Sequence, residues 1–272
     1  MGDVTRKVRA DQLLVERGLA ESRTQAQRLI LAGQVWADGQ PVPKPSTRLP
    51  ESARLEVRQR PKYVSRGGEK LEAALQRFHV PVQDRVCADV GASTGGFTDC
   101  LLQHGARRVY AIDVGHGQLH WKLRQDPRVV VMEGVNARHL EALPEPVDLV
   151  TMDVSFISVR KILPATRGWL RPEGRVLVLI KPQFEAGKRE AARGKGVIRK
   201  AQVHRKVLEE VLEDLMALGY RVLGVIPSPI RGAKKGNIEF WAYMQYAPDD
   251  PFPSRETWVS WVEDAVREAH AS

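Results

Sequence analysis

The segment Asp89-Val90-Gly91-Ala92-Ser93-Thr94-Gly95-Gly96-Phe97-Thr98-Asp99 constrains this chain more than any other. It follows the short apolar run Val86-Cys87-Ala88 and precedes Cys100-Leu101-Leu102, and so reads as strand, glycine turn and helix. Such a unit sets glycines and helix N-terminal N–H groups at the carboxyl edge of a sheet, where a ligand can approach the backbone closely. The spacing is not the G-x-G-x-x-G of dinucleotide enzymes, which argues against a nicotinamide-dependent oxidoreductase. An acidic residue opens the loop instead.

Short apolar strands alternate with helices beyond this point: Val86 to Asp89, Val109 to Asp113, Val129 to Met132, Leu149 to Asp153 and Val176 to Lys181. The alternation predicts a parallel, doubly wound Rossmann-like α/β sheet. A long amphipathic helix is expected over 202–218, closing strands over 221–226 and 238–244, and a short helix over 258–269 that covers the core. Asp89, Asp113, Asp153 and Lys181 each fall at or just after a strand end, so a parallel sheet gathers them on one edge. Asp113 sits where Rossmann-like proteins place the carboxylate that accepts hydrogen bonds from a ribose, with a helix N-cap as its plain structural alternative. Asn136, after the third strand, sits where an adenine is commonly contacted. The cofactor-binding set read from the loop and strand ends is Asp89, Gly91, Ala92, Ser93, Thr94, Gly95, Gly96, Phe97, Asp113 and Asn136.

Residues 9–58 read as a separate small α+β module. Leu13, Leu14 and Leu19 suggest a first helix ending near Gly18, and Ser22-Arg23-Thr24-Gln25 is a capping box that opens a second. Asp38-Gly39 between Val35-Trp36-Ala37 and Gln40-Pro41-Val42 is a hairpin signal. Residues 1–60 are thus expected to form one domain, 61–68 a basic connector and 69–272 the larger domain. Lys and Arg number 42 against 33 Asp and Glu, a formal charge of +9 that favours a polyanionic partner such as nucleic acid. The basic residues singled out for RNA contact are Arg23, Arg28, Arg66, Lys188, Arg189, Arg193 and Lys195, with a second cluster at Arg231, Lys234 and Lys235.

The two cysteines, Cys87 and Cys100, fall on predicted core positions, so neither a disulfide framework nor a cysteine zinc site is expected. His116 and His120 stand at helical spacing with no third ligand nearby in sequence, and no metal is expected. No apolar run approaches the roughly 20 residues of a membrane span, and no signal-peptide core opens the chain. These features suit the cytoplasm and no membrane partner. Nothing demands a dimer, so a monomer is expected.

The N-terminal pieces Leu13-Leu14-Val15, Gly18-Leu19, Ser22-Arg23, Ala26, Leu29-Ile30, Gly33-Gln34-Val35 and Lys44-Pro45-Ser46 resemble the S-four-type RNA-binding domain. Lys70, Asp153, Lys181 and Glu239 match in order the Lys-Asp-Lys-Glu tetrad of the ribose 2′-O-methyltransferases related to FtsJ. The strings Ser65 to Leu71, Asp153 to Ser158, Ile180 to Glu185 and Gly236 to Phe240 resemble the TlyA family over nearly the whole chain. The glycine loop with its opening acidic residue likewise resembles that of S-adenosylmethionine (SAM) methyltransferases, so the resemblance implies SAM as cofactor. It also implies a catalytic tetrad of Lys70, Asp153, Lys181 and Glu239, and ribosomal RNA or ribosomal subunits as partners. It further implies 2′-O-methylation of a ribose, on cytidine. A membrane-active hemolysin-like protein (the family carries that label) and a catalytically inactive ribosome-binding factor are the alternatives. Ser93-Thr94 departs from the wider FtsJ group, where proline is common in the loop.

Overall fold

A computed structural model of the chain describes residues 6–58, 61–187, 196–232 and 236–271. Contacts divide it into two compact units, Met1–Lys62 and Tyr63–Ser272.

In the first unit, β1 (Lys7–Arg9) leads into α1 (Ala10–Glu16), and α2 (Arg23–Leu31) packs against it. The Ser22 hydroxyl accepts from the Gln25 N–H, as the capping signal predicts. β2 (Val35–Ala37) pairs antiparallel with β3 (Gln40–Pro41) through the Asp38-Gly39 turn, both residues at positive φ. β4 (Arg48–Pro50) pairs with β1, and β5 (Leu55–Val57) with β2. Ala10, Leu14, Ala26, Ile30, Val35 and Ala37 build a small core of their own. Inside it Asp11 is fully buried, and Arg9 holds its carboxyl well below the usual range, helped by Gln27 and Arg23.

The second unit starts earlier than propensity suggests. α3 spans Arg66–Arg77, so it begins inside the stretch read as a connector, and Ser65 is its N-cap. Two glycines in a first turn disfavour a helix locally, but packing requires one of them, Gly68. A Cβ on Gly68 would lie 2.2 Å from the buried Tyr63 ring, and one on Gly96 would lie 2.2 Å from Ser65 Oγ. The stretch read as a connector therefore belongs to the domain from Tyr63 onward, because its aromatic ring and glycines are packed, not solvated.

The large sheet holds β6 (Val86–Val90), β7 (Arg108–Asp113), β8 (Val129–Glu133), β9 (Val147–Met152), β10 (Leu170–Ile180), β11 (Tyr220–Pro227) and β12 (Phe240–Tyr246), in the order β11-β12-β10-β9-β6-β7-β8. Neighbours from β10 to β8 run parallel, while β12 is antiparallel to both β10 and β11. The five strands expected to be parallel are so, and the sheet is mixed only at the edge formed by the two closing strands. Alternate strand residues fill two cores. Ala88, Tyr110 and Val178 face the helices Ala201–Ala217 and Arg255–Ala271, while Cys87, Ala111 and Leu177 face α3 and α4 (Gly96–Gln103). Both cysteines are buried, and burial pushes the Cys87 thiol up, so neither is a ready nucleophile.

Candidate active site

From β6 the chain runs outward through β7 and β8, then returns to the other side of β6 as β9. That reversal opens a crevice at the carboxyl ends of β6 and β9, where Val90 is in register with Met152. A cleft of about 520 Å³ lies there, walled by Gly91, Ser93, Asp113, Asn136, Asp153 and Phe156 among others, with Ile112, Val135 and Ile157 as apolar lining.

Gly91 has φ +82, and a Cβ on it would meet the Asp153 carbonyl oxygen at 2.6 Å, so only glycine lets the two strand ends close up. Asp113 Oδ2 accepts from the Ser93 N–H at 2.8 Å and Oδ1 from the Gly115 N–H at 2.7 Å. One carboxylate on the cleft wall thus ties the loop after β6 to the loop after β7. Asn136 is exposed on the wall, with its side-chain oxygen accepting from the Arg138 N–H.

The rest of the predicted loop set is not on the wall. Phe97 packs on Trp241, 5.5 Å between rings, and Gly95 abuts Leu119 and Leu123. Ala92 is buried, and the Thr94 carbonyl accepts from the His120 N–H. These residues shape the loop and seat α4. Asp89 is fully buried, with Oδ2 accepting from the Thr98 N–H at 2.9 Å and the Thr98 hydroxyl at 2.7 Å, while Oδ1 has no hydrogen-bond partner among the described residues.

Burial pushes the Asp89 carboxyl up to about 7, against the Thr98 hydrogen bonds and with the Asp153 charge adding to it. Between about pH 4 and 7 the folded chain then holds a proton that the unfolded chain has released. Stability must fall as pH rises through that window, by an order-of-magnitude 4 kcal/mol at full ionisation. Melting followed from pH 5 to pH 8 should show this decline, and Asp89→Asn should remove most of it. Parallel declines in both proteins would place the titration elsewhere.

The tetrad residues form two ion pairs. Lys181, just past β10 and nearly buried, lies 2.5 Å from Asp153 Oδ1 and donates to Ser155 Oγ at 3.0 Å. Lys70 on α3 lies 2.6 Å from Glu239 Oε2, both buried. Among the described residues no hydrogen bond links one pair to the other. The Asp153–Lys181 pair adjoins the cleft through Asp153.

Three features were missed from sequence. Phe156 is 83% exposed at φ +66 on the cleft wall, with the Phe184 ring 5.2 Å away. Ser155 accepts from Lys181. Buried Glu185 accepts from the Ser158 hydroxyl at 2.6 Å and the Val159 N–H at 2.8 Å, stitching the loop after β9 to the turn after β10. Only the exposed aromatic carried a usable hint, being flanked by serine directly after a strand end.

Of the basic set, Arg28 and Arg66 are exposed, the latter one turn before Lys70 on α3. Arg23 is exposed but spends part of its charge on Asp11, at 3.2 Å. Lys188, Arg189, Arg193, Lys195, Lys234 and Lys235 lie outside the described residues. Among the described residues no cluster of three or more His, Cys, Asp or Glu is placed to hold a metal ion, and no helix is long and apolar enough to cross a membrane.

The FtsJ-like methyltransferase model matches residues 63–246, and the S4 domain model matches residues 8–55. YqxC of Bacillus subtilis is 46% identical, over 98% of this chain and 95% of its own. TlyA of Mycobacterium tuberculosis, named as a 16S/23S rRNA (cytidine-2′-O)-methyltransferase, is 44% identical over 98% of each chain. A solved structure of a hemolysin candidate from Streptococcus thermophilus superposes with a TM-score of 0.74 at 42% identity, covering 98% of this chain and 97% of that one. With a glycine cleft at the sheet's switch point and the Lys181–Asp153 pair beside it, the chain belongs to the FtsJ-like methyltransferases, within the TlyA family.

Proposed function

We propose that this protein transfers a methyl group from SAM to the 2′-hydroxyl of a cytidine ribose in ribosomal RNA, in the cytoplasm. The observation that carries the reading is the Lys181–Asp153 pair at the edge of the glycine cleft. The cleft suits the cofactor in size, in its mixed lining and in the close approach that Gly91 permits. When bound, SAM supplies an activated methyl group on a positively charged sulfur.

The chain's own task is alignment and proton removal. A ribose hydroxyl is a weak nucleophile, so the proton must leave as its oxygen takes the methyl. Lys181 Nζ is the group assigned to accept or polarise that proton. Asp153 and Ser155 fix the amine's position, and a cation in the cleft competes with Lys181 for the Asp153 carboxylate. Lys70 and Glu239 orient the ribose. Phe156 offers an exposed ring on which the target base can stack. The S4 module, with Arg28 exposed on α2, supplies shape and phosphate recognition of folded RNA.

Asp113 is assigned the ribose of the adenosine. Asp113→Ala should weaken SAM binding by about 1.5–3 kcal/mol in calorimetry, the range for hydrogen bonds to a charged group. Affinity unchanged within error would remove Asp113 from the cofactor site.

A further inference from the structure

A groove of about 550 Å³ shares no lining residue with the glycine cleft and is walled in part by near neighbours of Lys70 and Glu239 in the chain. We propose that it holds the nucleotide next to the reacting ribose in the RNA strand, an inference that rests on the RNA methyltransferase reading above. The groove is bounded by α3, by the segment after β11 and by the C-terminal helix Arg255–Ala271.

Continuity with the tetrad is the first support. Ala73 lines the groove one helical turn beyond Lys70, on the same face of α3. Ile238 lines it from the position before Glu239. A ribose held at Lys70 and Glu239 belongs to a strand, so a neighbouring nucleotide is tethered within reach of these walls. The wall chemistry is the second support. Ile226, Pro227, Pro229 and Ile238 form an apolar floor against which a base can lie, and Gln76, Arg77 and Arg231 give it a polar, cationic rim. Arg77 is paired with Glu268 at 3.0 Å, but both side chains are about half exposed, and an exposed pair of this kind yields readily to a phosphate. A peptide strand has no equal need of this charge, and the tether to the reacting ribose favours RNA.

The groove gives the enzyme a means of reading sequence beside the target without touching the methyl donor. Gln76 is exposed on α3 two turns from Lys70, so Gln76→Trp fills the groove while leaving the tetrad in place. The test uses the full chain with ribosomal RNA as the varied substrate at saturating SAM. Gln76→Trp and Arg231→Ala should each raise the KM for RNA by about 10-fold, the scale of one lost base-stacking contact. SAM affinity and melting temperature should stay at wild-type values. A benzophenone photocrosslinker in place of Gln76 should join the nucleotide adjacent to the methylated one. Unchanged RNA KM in both variants, or a crosslink to a ribosomal protein or to remote RNA, would overturn the proposal. Should Gln76→Trp lower the melting temperature, the crosslink decides. A wild-type protein that binds SAM yet transfers no methyl to RNA would instead refute the underlying reading.

Discussion

Lys181→Ala is expected to slow single-turnover methyl transfer by roughly 10²–10⁴-fold, the usual loss when general-base assistance is removed. The fold, SAM affinity and most RNA affinity should survive. Lys181 follows the interior strand β10 and is held by Asp153 and Ser155, so its loss changes one end of a side-chain network and no backbone. Asp153 loses its partner but lines an open cleft where water can reach it, which keeps the stability loss below about 3 kcal/mol. Lys181→Arg should not restore the rate, because a guanidinium cannot release its proton at accessible pH. Near wild-type transfer by the Arg variant would make Lys181 an electrostatic clamp and leave proton removal to water or a carboxylate.

The second large effect concerns the N-terminal unit. A chain beginning at Lys62 retains the whole of the larger unit, including Tyr63 and the Ser65 cap of α3. It should fold and bind SAM like the full chain. Methyl transfer to ribosomal RNA should drop on the order of 10²–10⁴-fold in kcat/KM, the range gained when two binding modules are linked. RNA binding by the full chain should also weaken steeply with salt, as expected where Lys and Arg displace counterions from phosphates. If the shortened chain methylates ribosomal RNA at full rate, the S4 unit is not the RNA anchor.

Much of the site was legible because strand ends in a parallel sheet share one edge, so Asp113, Asp153 and Lys181 could be brought together from apolar spacing alone. The glycine loop was legible for the same reason, though only part of it lines the cleft. Phe97 and Gly95 are apolar or small for packing reasons that a linear string cannot separate from ligand contact. The boundary expected at residue 69 falls inside α3 because Gly67 and Gly68 weaken a helix locally, while the packed Tyr63 ring leaves no room for a side chain at Gly68. The reversed β12 was hidden because strand direction leaves no trace in a run of apolar residues. Glu185 was invisible as a buried charge, since its partners are a backbone N–H group and side chains more than twenty residues away. The pairing of Lys70 with Glu239 joins residues 169 positions apart, and only the family resemblance, not the local chemistry, pointed to it.

The central claim is that a methyl group passes to a ribose oxygen of ribosomal RNA under the control of Lys181. The direct measurement is transfer from methyl-labelled SAM to ribosomal RNA, followed by alkaline hydrolysis and nucleoside identification. The account predicts label in an alkali-resistant dinucleotide that yields 2′-O-methylcytidine, and its disappearance with Lys181→Ala. Label on a base, or no transfer by a protein that binds SAM normally, would contradict it.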